Sequence, residues 1–222
     1  MNTRFIFFDL GNVLLRFNTY QLIRQAAAVT GCNEKDVQQA IYASGLQRKF
    51  ECGEITEQEF YDAYCKQVGS RPDLEALLRA FNDIFLVLEE MHPFVRGLAE
   101  IDFPRGILSN VGPSHWKHCT ETYPFLLQYF PNNHVLSYRV GAMKPDRKIY
   151  EAAYKTARDV VSDIKAEEIL FIDDIEQNVS GAQAFGLDAV QFVSISQLVP
   201  EIELRGLDRF VFRAYYRSAD KF

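Results

Sequence analysis

Four short apolar runs in the sequence are each followed by side chains that can do chemistry. These side chains are, in chain order, Asp9, Ser109, Asn110, Lys144, Asp173 and Asp174. Each one alone is more typical of a turn or of a helix cap than of a reaction site. In an open α/β sheet, however, reactions take place beyond the carboxyl ends of the parallel strands. If the apolar runs are such strands, we expect these side chains to meet at one edge of a sheet.

The types of these residues indicate phosphate chemistry assisted by a divalent cation. Three carboxylates in one crevice repel one another, and their pKa values rise unless a cation lies among them. Mg²⁺ meets this need because it prefers carboxylate and carbonyl oxygens. The remaining hydroxyl, amide and lysine are groups that bind phosphate. An ionised Asp9 could then attack phosphorus in line, while the cation and Lys144 offset the charge of the transferring group.

The elements that must position these residues follow an α/β pattern. Phe5 to Phe8 is short and apolar throughout, which is typical of a strand buried on both faces of a parallel sheet. Similar runs recur around Leu108, Leu136, Phe171 and Val190, and helical patterns alternate with them. The sequence therefore predicts the α/β class with a parallel sheet.

The interval after the first apolar run predicts an inserted helical domain. Its helical patterns start at candidate caps and stop at glycines. The signals are Asn18 with Gly31, Asn33, a Thr56–Glu59 capping box with Gly69, and Pro72 before a pattern that continues to Glu90. We expect residues 1–15 and 89–222 to form the α/β core, and residues 16–88 to form a helical domain inserted into it.

Composition and charge exclude several classes of function. The chain has 222 residues, 48% of them hydrophobic, which is enough for a core domain with an insert. A net charge of −6 argues against a nucleic-acid partner. No apolar run reaches the roughly 18 residues of a membrane span, and Asp9 interrupts the first run, so we expect neither a membrane segment nor a signal peptide.

The cysteines and the tail of the chain carry weaker signals. Four scattered cysteines with no C-x-x-C pair are typical of free thiols, so we expect a reducing, cytoplasmic location. The aromatic tail "RFVFRAYY" is expected to pack on the core. The sequence carries no signal for an oligomeric state.

Four motifs together resemble the haloacid dehalogenase (HAD) superfamily of phosphohydrolases. "FFDLGNVLL" is similar to the first motif of the superfamily, "ILSN" to the second, "GAMKPDRKIY" to the third and "FIDDIEQNVSGAQAFG" to the fourth. "FECGEITEQEF" resembles a stretch common in the helical cap of such proteins. The resemblance spans residues 5–195 and implies a Rossmann-like core with a helical cap. The D-x-G-N-V and D-D-x-x-x-N forms most resemble bacterial sugar-phosphate phosphatases of the α-glucose-1-phosphatase type.

The resemblance implies a nucleophile and a metal site. Asp9 would form an aspartyl-phosphate and would also ligate Mg²⁺, and Gly11 would offer its backbone carbonyl to the metal. Asp174 would ligate Mg²⁺ directly, while Asp173 would act through water or orient the ligand shell. Asn178 would support these ligands or begin the following helix.

The resemblance also implies a phosphate site and a reaction. Ser109 and the backbone of Asn110 would bind the phosphate, and Lys144 would pair with both Asp9 and the phosphate. The implied activity is Mg²⁺-dependent hydrolysis of a small phosphorylated metabolite, a sugar phosphate in the most similar subgroup. No nucleic-acid or membrane partner is implied.

Gly11 departs from the pattern of the superfamily. Most of its phosphatases have an acid at this position, which protonates the leaving group and then activates water. Such a group is typically worth about 10²–10⁴-fold in rate, and glycine cannot transfer a proton. The leaving group could be reactive enough to need little help, Glu51 or Glu54 of the insertion could supply the proton, or turnover could be very slow. We favour the first two together.

Two other functions remain open at this stage. A 2-haloacid dehalogenase uses the same fold and a nucleophilic Asp without a metal, but it does not need the paired acids after Ile172. A non-catalytic binding protein is the other candidate, and its support is Gly11 alone. His115 and His118 have too few companions for a zinc site, although His115 could reach the crevice mouth. Phe50 is the first aromatic side chain that we expect between the insertion and the core.

Overall fold

The computed structural model describes residues 3–207. The strands are β1 (Phe5–Phe8), β2 (Leu15–Phe17), β3 (Phe85–Val87), β4 (Arg105–Ser109), β5 (His134–Leu136), β6 (Ile169–Asp173) and β7 (Asp188–Gln191). The helices are α1 (Thr19–Thr30), α2 (Glu34–Gln38), α3 (Leu46–Glu51), α4 (Glu57–Val68), α5 (Leu74–Asn82), α6 (His92–Glu100), α7 (Pro113–Thr122), α8 (Phe125–Tyr129), α9 (Ser137–Val140), α10 (Arg147–Val160), α11 (Glu176–Phe185) and α12 (Ile195–Leu204). A π-helical turn at Gln39–Ala43 and a 3-10 turn at Ala166–Glu168 complete the description.

A five-stranded parallel sheet forms the centre of the molecule and confirms the predicted α/β class. Its strand order is β5-β4-β1-β6-β7, so β1 lies in the middle. Phe8 pairs with Ile107 of β4 on one side and with Ile172 of β6 on the other. The carboxyl ends of these three strands are therefore neighbours. The predicted site residues Asp9, Ser109 and Asp173 lie at these ends.

The continuous apolar character of β1 is explained by burial on both faces of the sheet. Ile6 and Phe8 point into one hydrophobic cluster, and Phe5 and Phe7 point into another on the opposite face. All four side chains are fully buried. Helices α10 and α11 cover the second cluster, while α6, α7, α12 and the insertion contribute to the first. A strand held this firmly fixes the position of the residue that follows it.

The predicted helix caps of the insertion are present. The Asn18 side chain accepts from the N–H of Gln21, and Gly31 ends α1 with φ of 71°. The Asn33 side chain caps α2. Thr56 and Glu59 form the predicted capping box at the start of α4. These caps satisfy backbone groups that a helix end would otherwise leave unpaired.

The insertion, predicted to be almost entirely helical, has short strands at its two ends. β2 and β3 pair antiparallel there, with Leu15 opposite Val87. The helix that follows Pro72 ends at Asn82 and does not continue to Glu90. The apolar stretch "IFLV" suits either a helix or a strand by pattern alone. Backbone pairing with β2, which is distant in sequence, decides in favour of a strand.

Three further predictions concern thiols, membranes and the tail. All four cysteines are free. Between residues 3 and 207, no helix has both the length and the apolar character that a membrane span needs. The aromatic tail beyond residue 207 lies outside the described residues.

Candidate active site

β1 places Asp9 at the centre of the carboxyl edge of the sheet. The backbone N–H of Asp9 donates to the carbonyl of Ile172 at 2.9 Å, which extends the sheet pairing one residue past the strand. Its carboxylate oxygen Oδ1 accepts from the N–H of Leu10 at 2.7 Å. The side chain is 10% exposed. Asp9 is therefore held in one orientation, with access to the crevice.

Lys144 joins the acids of two strands. Its Nζ lies 2.9 Å from Asp9 Oδ1 and 2.6 Å from Asp173 Oδ2, and it donates to the carbonyl of Leu108 at 3.0 Å. The side chain is 1% exposed. Burial alone lowers the pKa of the amine, but the two carboxylates outweigh it, so the pKa of Lys144 is raised. Lys144 stays positively charged between the acids.

Asn110 holds the backbone of Lys144 in place. Its side-chain amide donates to the Lys144 carbonyl at 3.0 Å, and its Oδ1 accepts from the Lys144 N–H at 2.8 Å. The residue types indicated that the Asn110 amide binds phosphate, and the resemblance implied that its backbone does so; the contact of the amide with Lys144 was not predicted. This reciprocal pair ties the loop after α9 to the end of β4. Ser109, at that strand end, is 2% exposed.

Asp173 is held by the chain on all sides. Both of its carboxylate oxygens accept from Asn178 Nδ2, at 3.0 and 3.1 Å, and Oδ1 also accepts from the N–H of Ile175. Lys144 takes the remaining direction. Asp173 is fully buried, so its carboxylate is positioned to orient its neighbours. Asn178 supports Asp173 directly, which agrees with a supporting role.

Asp174 faces the crevice with a partner that the sequence analysis missed. Its Oδ2 accepts from Asn12 Nδ2 at 2.9 Å. Burial raises the pKa of Asp174, and the hydrogen bond from Asn12 opposes that rise. Asn12 has φ of 52°, in the left-handed region where asparagine is better tolerated than most residues. The Gly-Asn pair after Asp9 was the available signal.

The three carboxylates form a group that fits a divalent cation. One oxygen from each of Asp9, Asp173 and Asp174 lies within 4.8 Å of the others. Burial raises the pKa of Asp9 to about 7, with Lys144 opposing the rise and the other two carboxylates adding to it. One lysine does not balance three acids, and the donors are all hard oxygens. A hard cation such as Mg²⁺ suits this set.

The space beside Gly11 is taken by an aromatic ring. A Cβ atom at Gly11 would lie 2.8 Å from Phe17 Cε1 and 3.2 Å from Phe17 Cδ1. An acidic side chain cannot be accommodated here unless that ring moves. The missing acid is thus accompanied by a bulky neighbour on β2, which the sequence analysis did not identify.

A cavity extends from the carboxyl edge of the sheet into the insertion. Its lining includes Gly11, Ser109 and Asn110 from the core, and the polar residues Thr19, Tyr42, Gln47 and Glu51 from the insertion. The cavity therefore connects the carboxyl edge of the sheet, beside Asp9, to a space lined by side chains of the insertion.

Of the two acids considered as substitutes for the missing one, Glu51 lines this cavity. Its Oε1 accepts from Gln47 Nε2 at 2.6 Å, and burial raises the pKa of the Glu51 carboxyl. Glu54 has a side chain that is 46% exposed and forms an ion pair with Arg48 at 3.1 Å. Glu51 is therefore the better placed of the two.

Other predicted residues lie around the cavity. His115 lines it, and burial lowers the pKa of this histidine to about 4, against a hydrogen bond with the Phe81 carbonyl. The ring of Phe50 lies 2.9 Å from the position of a Cβ at Gly112, in the loop after β4. Phe50 thus packs between the insertion and the core, as expected. Within residues 3–207, the histidines take part in no cluster of potential metal ligands.

The model of the haloacid dehalogenase-like hydrolase family matches residues 3–186, so the chain belongs to that family of hydrolases. This agrees with the resemblance seen in the four motifs. Membership establishes a hydrolase of the HAD type and leaves the substrate open.

Solved structures with the same fold accord with this membership. A HAD family enzyme of Bacteroides thetaiotaomicron, in complex with magnesium and inorganic phosphate, is 23% identical and covers 89% of this chain and 99% of its own, with a TM-score of 0.76. A HAD-like family hydrolase of Porphyromonas gingivalis is 25% identical and covers 92% and 98%, with a TM-score of 0.76. The L-2-haloacid dehalogenase of Xanthobacter autotrophicus is 19% identical and covers 92% and 83%, with a TM-score of 0.60.

Proposed function

We propose that this protein is a Mg²⁺-dependent phosphomonoester hydrolase that acts on a small phosphorylated metabolite, with a sugar phosphate as the expected substrate. The observation that carries the proposal is the contact of Lys144 with Asp9 and Asp173 at the edge where three carboxylates converge. The similar Bacteroides enzyme, solved with both magnesium and inorganic phosphate, adds support.

In this proposal, Asp9, Asp174 and the backbone carbonyl of Gly11 hold the cation. When bound, Mg²⁺ supplies positive charge that favours ionised carboxylates and offsets charge on a phosphoryl group. Asp173 orients the neighbouring ligands and does not bind the cation directly, because its oxygens already accept hydrogen bonds from Lys144 and Asn178.

Asp9 acts as the nucleophile. Its Oδ1 already accepts hydrogen bonds from Leu10 and Lys144, so we assign the attack to Oδ2. A bond forms from Oδ2 to phosphorus while the bond from phosphorus to the ester oxygen breaks, which releases the alcohol. Water then attacks phosphorus and breaks the bond to Asp9. Inorganic phosphate leaves, and the carboxylate is restored.

The phosphate is held by groups at the ends of β4 and α9. The hydroxyl of Ser109 and the backbone N–H of Asn110 bind phosphate oxygens. Lys144 offsets the negative charge of the phosphoryl group in transit, in a buried setting where such an interaction is strong.

The leaving alcohol needs a proton that Gly11 cannot give. We propose that Glu51 supplies it and that its carboxylate then takes a proton back from the attacking water, because burial raises the pKa of Glu51 and it lines the same cavity as Gly11. An anomeric or acyl phosphate has a more reactive leaving group and would depend less on this proton.

We also propose that residues 16–88 act as a cap over a core made of residues 1–15 and 89–222. The cavity is lined from both parts. Gly53 of the insertion approaches the core so closely that a Cβ there would lie 2.3 Å from the Tyr138 carbonyl oxygen. These contacts support an insertion that closes over the phosphate end of the site. We further propose a cytoplasmic location, on the basis of the free cysteines.

Phosphate release tests the proposed function. The wild type, Asp9→Asn and the exposed control Asp159→Asn are given an aryl phosphate and a sugar-phosphate panel that includes glucose 1-phosphate, with Mg²⁺ or with EDTA. The proposal predicts Mg²⁺-dependent release that Asp9→Asn abolishes and Asp159→Asn retains. Release of halide from 2-haloacids without Mg²⁺, or no turnover of any compound, would refute it in favour of a dehalogenase or a binding protein respectively.

A further inference from the structure

The cavity above the proposed site contains polar atoms that have no partner in the protein. Tyr42 Oη and Gln47 Oε1 are both buried, and neither makes a hydrogen bond within residues 3–207. Both residues line the cavity that begins at Gly11 and Ser109. Buried polar groups are nearly always paired in native proteins, so unpaired ones at a cavity point to a ligand.

One end of the Gln47 amide is paired with its neighbour Glu51. Its Nε2 donates to Glu51 Oε1 at 2.6 Å. A protonated Glu51 could instead donate to the amide oxygen, so in either orientation one end of the amide pairs with Glu51 and the other is left unpaired. The cavity therefore presents an unpaired amide group.

Tyr42 supplies a defined donor. It lies in the π-helical turn Gln39–Ala43, a rare geometry that is frequent at functional sites. Burial and the nearby Glu51 both raise the pKa of Tyr42, so its hydroxyl keeps its proton. A hydroxyl and an unpaired amide group that line the same cavity complement hydroxyl groups, which accept and donate at once.

We propose that Tyr42 and Gln47 bind hydroxyl groups of the leaving alcohol, so that the substrate is the phosphate ester of a polyhydroxylated alcohol. The rest of the cavity is largely apolar, with side chains such as Leu22 and Ile84 that fit the carbon skeleton. This inference rests on the proposed function, since it places the alcohol in the cavity that opens from the phosphate end.

The test compares three esters: a sugar phosphate found active in the panel above, propyl phosphate and an aryl phosphate. Tyr42→Phe should lower kcat/KM for the sugar phosphate by about fivefold to tenfold, the worth of one neutral hydrogen bond. The other two esters should change by less than about twofold, because they offer the lost hydroxyl no partner. The melting temperature of Tyr42→Phe should be unchanged or higher. Tyr64→Phe, in the same insertion but outside the lining of this cavity, is the matched control.

Equal losses on all three esters would overturn the inference, as would no loss on the sugar phosphate. If the wild type hydrolyses none of the esters, the proposed function is refuted. A binding experiment then still tests the inference about Tyr42 and Gln47. Saturation-transfer NMR with free hexoses and glycerol, in inorganic phosphate and Mg²⁺, should show contact with the wild type and less with Tyr42→Phe. Contact with none of these polyols, or equal contact in both proteins, would overturn the inference.

Discussion

Placing an acid at position 11 tests most directly whether the absence of a general acid there limits the reaction. A Cβ at Gly11 would lie 2.8 Å from the Phe17 ring, so Gly11→Asp alone requires that ring to move. Overpacking of this kind costs about 1–3 kcal/mol. The ring is on a residue that is 38% exposed and can swing outward, so we expect the lower part of that range.

Phe17→Ala removes the obstruction and makes the companion variant. We expect Gly11→Asp to lower the melting temperature by about 2–4 °C for each kcal/mol of stability lost to overpacking. The double variant should recover this part of the melting temperature. Gly11 has no positive φ, so the new side chain adds no backbone strain. The double variant should gain in kcat on propyl phosphate, by less than the roughly 10²–10⁴-fold of a full general acid because Glu51 already supplies a proton in the wild type.

The assay is phosphate release from propyl phosphate and from an aryl phosphate by all four proteins: wild type, both single variants and the double variant. A good aryl leaving group needs little protonation, so its rate should change far less than that of the alkyl ester. If the folded double variant shows the same ratio of alkyl to aryl rates as the wild type, a missing acid is not what limits the enzyme, and our account of Gly11 is wrong.

Three further predictions follow from the geometry. Lys144→Met should lower kcat by about 10²–10³-fold and destabilise the fold by about 3–5 kcal/mol, because it leaves the buried Asp9 without its counter-charge; activity near that of the wild type, with an unchanged urea midpoint, would contradict this. Glu51→Gln should lower kcat on alkyl phosphates by about 10²-fold, whereas the exposed Glu54→Gln should change it by less than about twofold. Because the pKa of Glu51 is raised, its acid form persists to higher pH, and wild-type kcat should fall as pH rises through that pKa; a pH–rate profile in which Glu51→Gln keeps this limb would exclude Glu51 as the acid. Asn12→Ala should weaken Mg²⁺ binding about tenfold or more in calorimetric titration, because the Asp174 carboxylate loses its 2.9 Å hydrogen bond. Equal Mg²⁺ affinities of the wild type and the variant would show that Asn12 has no role in the metal site.

The fold and the candidate nucleophile could be predicted from the sequence because local pattern and tertiary structure agree there. Phe5 to Phe8 is apolar at every position, and the structure buries it on both faces. The caps at Asn18 and Thr56 are local hydrogen bonds between residues three apart, so the chain itself encodes them. Asp9 and Ser109 then lie close together because β1 and β4 are neighbouring parallel strands, whose carboxyl ends share one edge of the sheet.

The remaining features depend on contacts between distant parts of the chain. The strand that contains Phe85 forms because it pairs with β2, and its apolar pattern does not distinguish it from a helix. The obstruction at Gly11 arises because that ribbon brings Phe17 over the site. Tyr42 owes its position to a π-helical turn, which has no simple residue pattern. Such features require the assembled structure.

The central claim is that Asp9 carries the phosphoryl group, and its phosphorylation is the most direct measurement. Wild type and Asp9→Asn are mixed with substrate and Mg²⁺, quenched in acid within milliseconds, digested and examined by mass spectrometry. Our account predicts that the wild-type peptide containing Asp9 transiently gains the mass of one phosphoryl group, and that the Asp9→Asn peptide never does. Rapid turnover with the phosphoryl group on another residue, or on none, would contradict it.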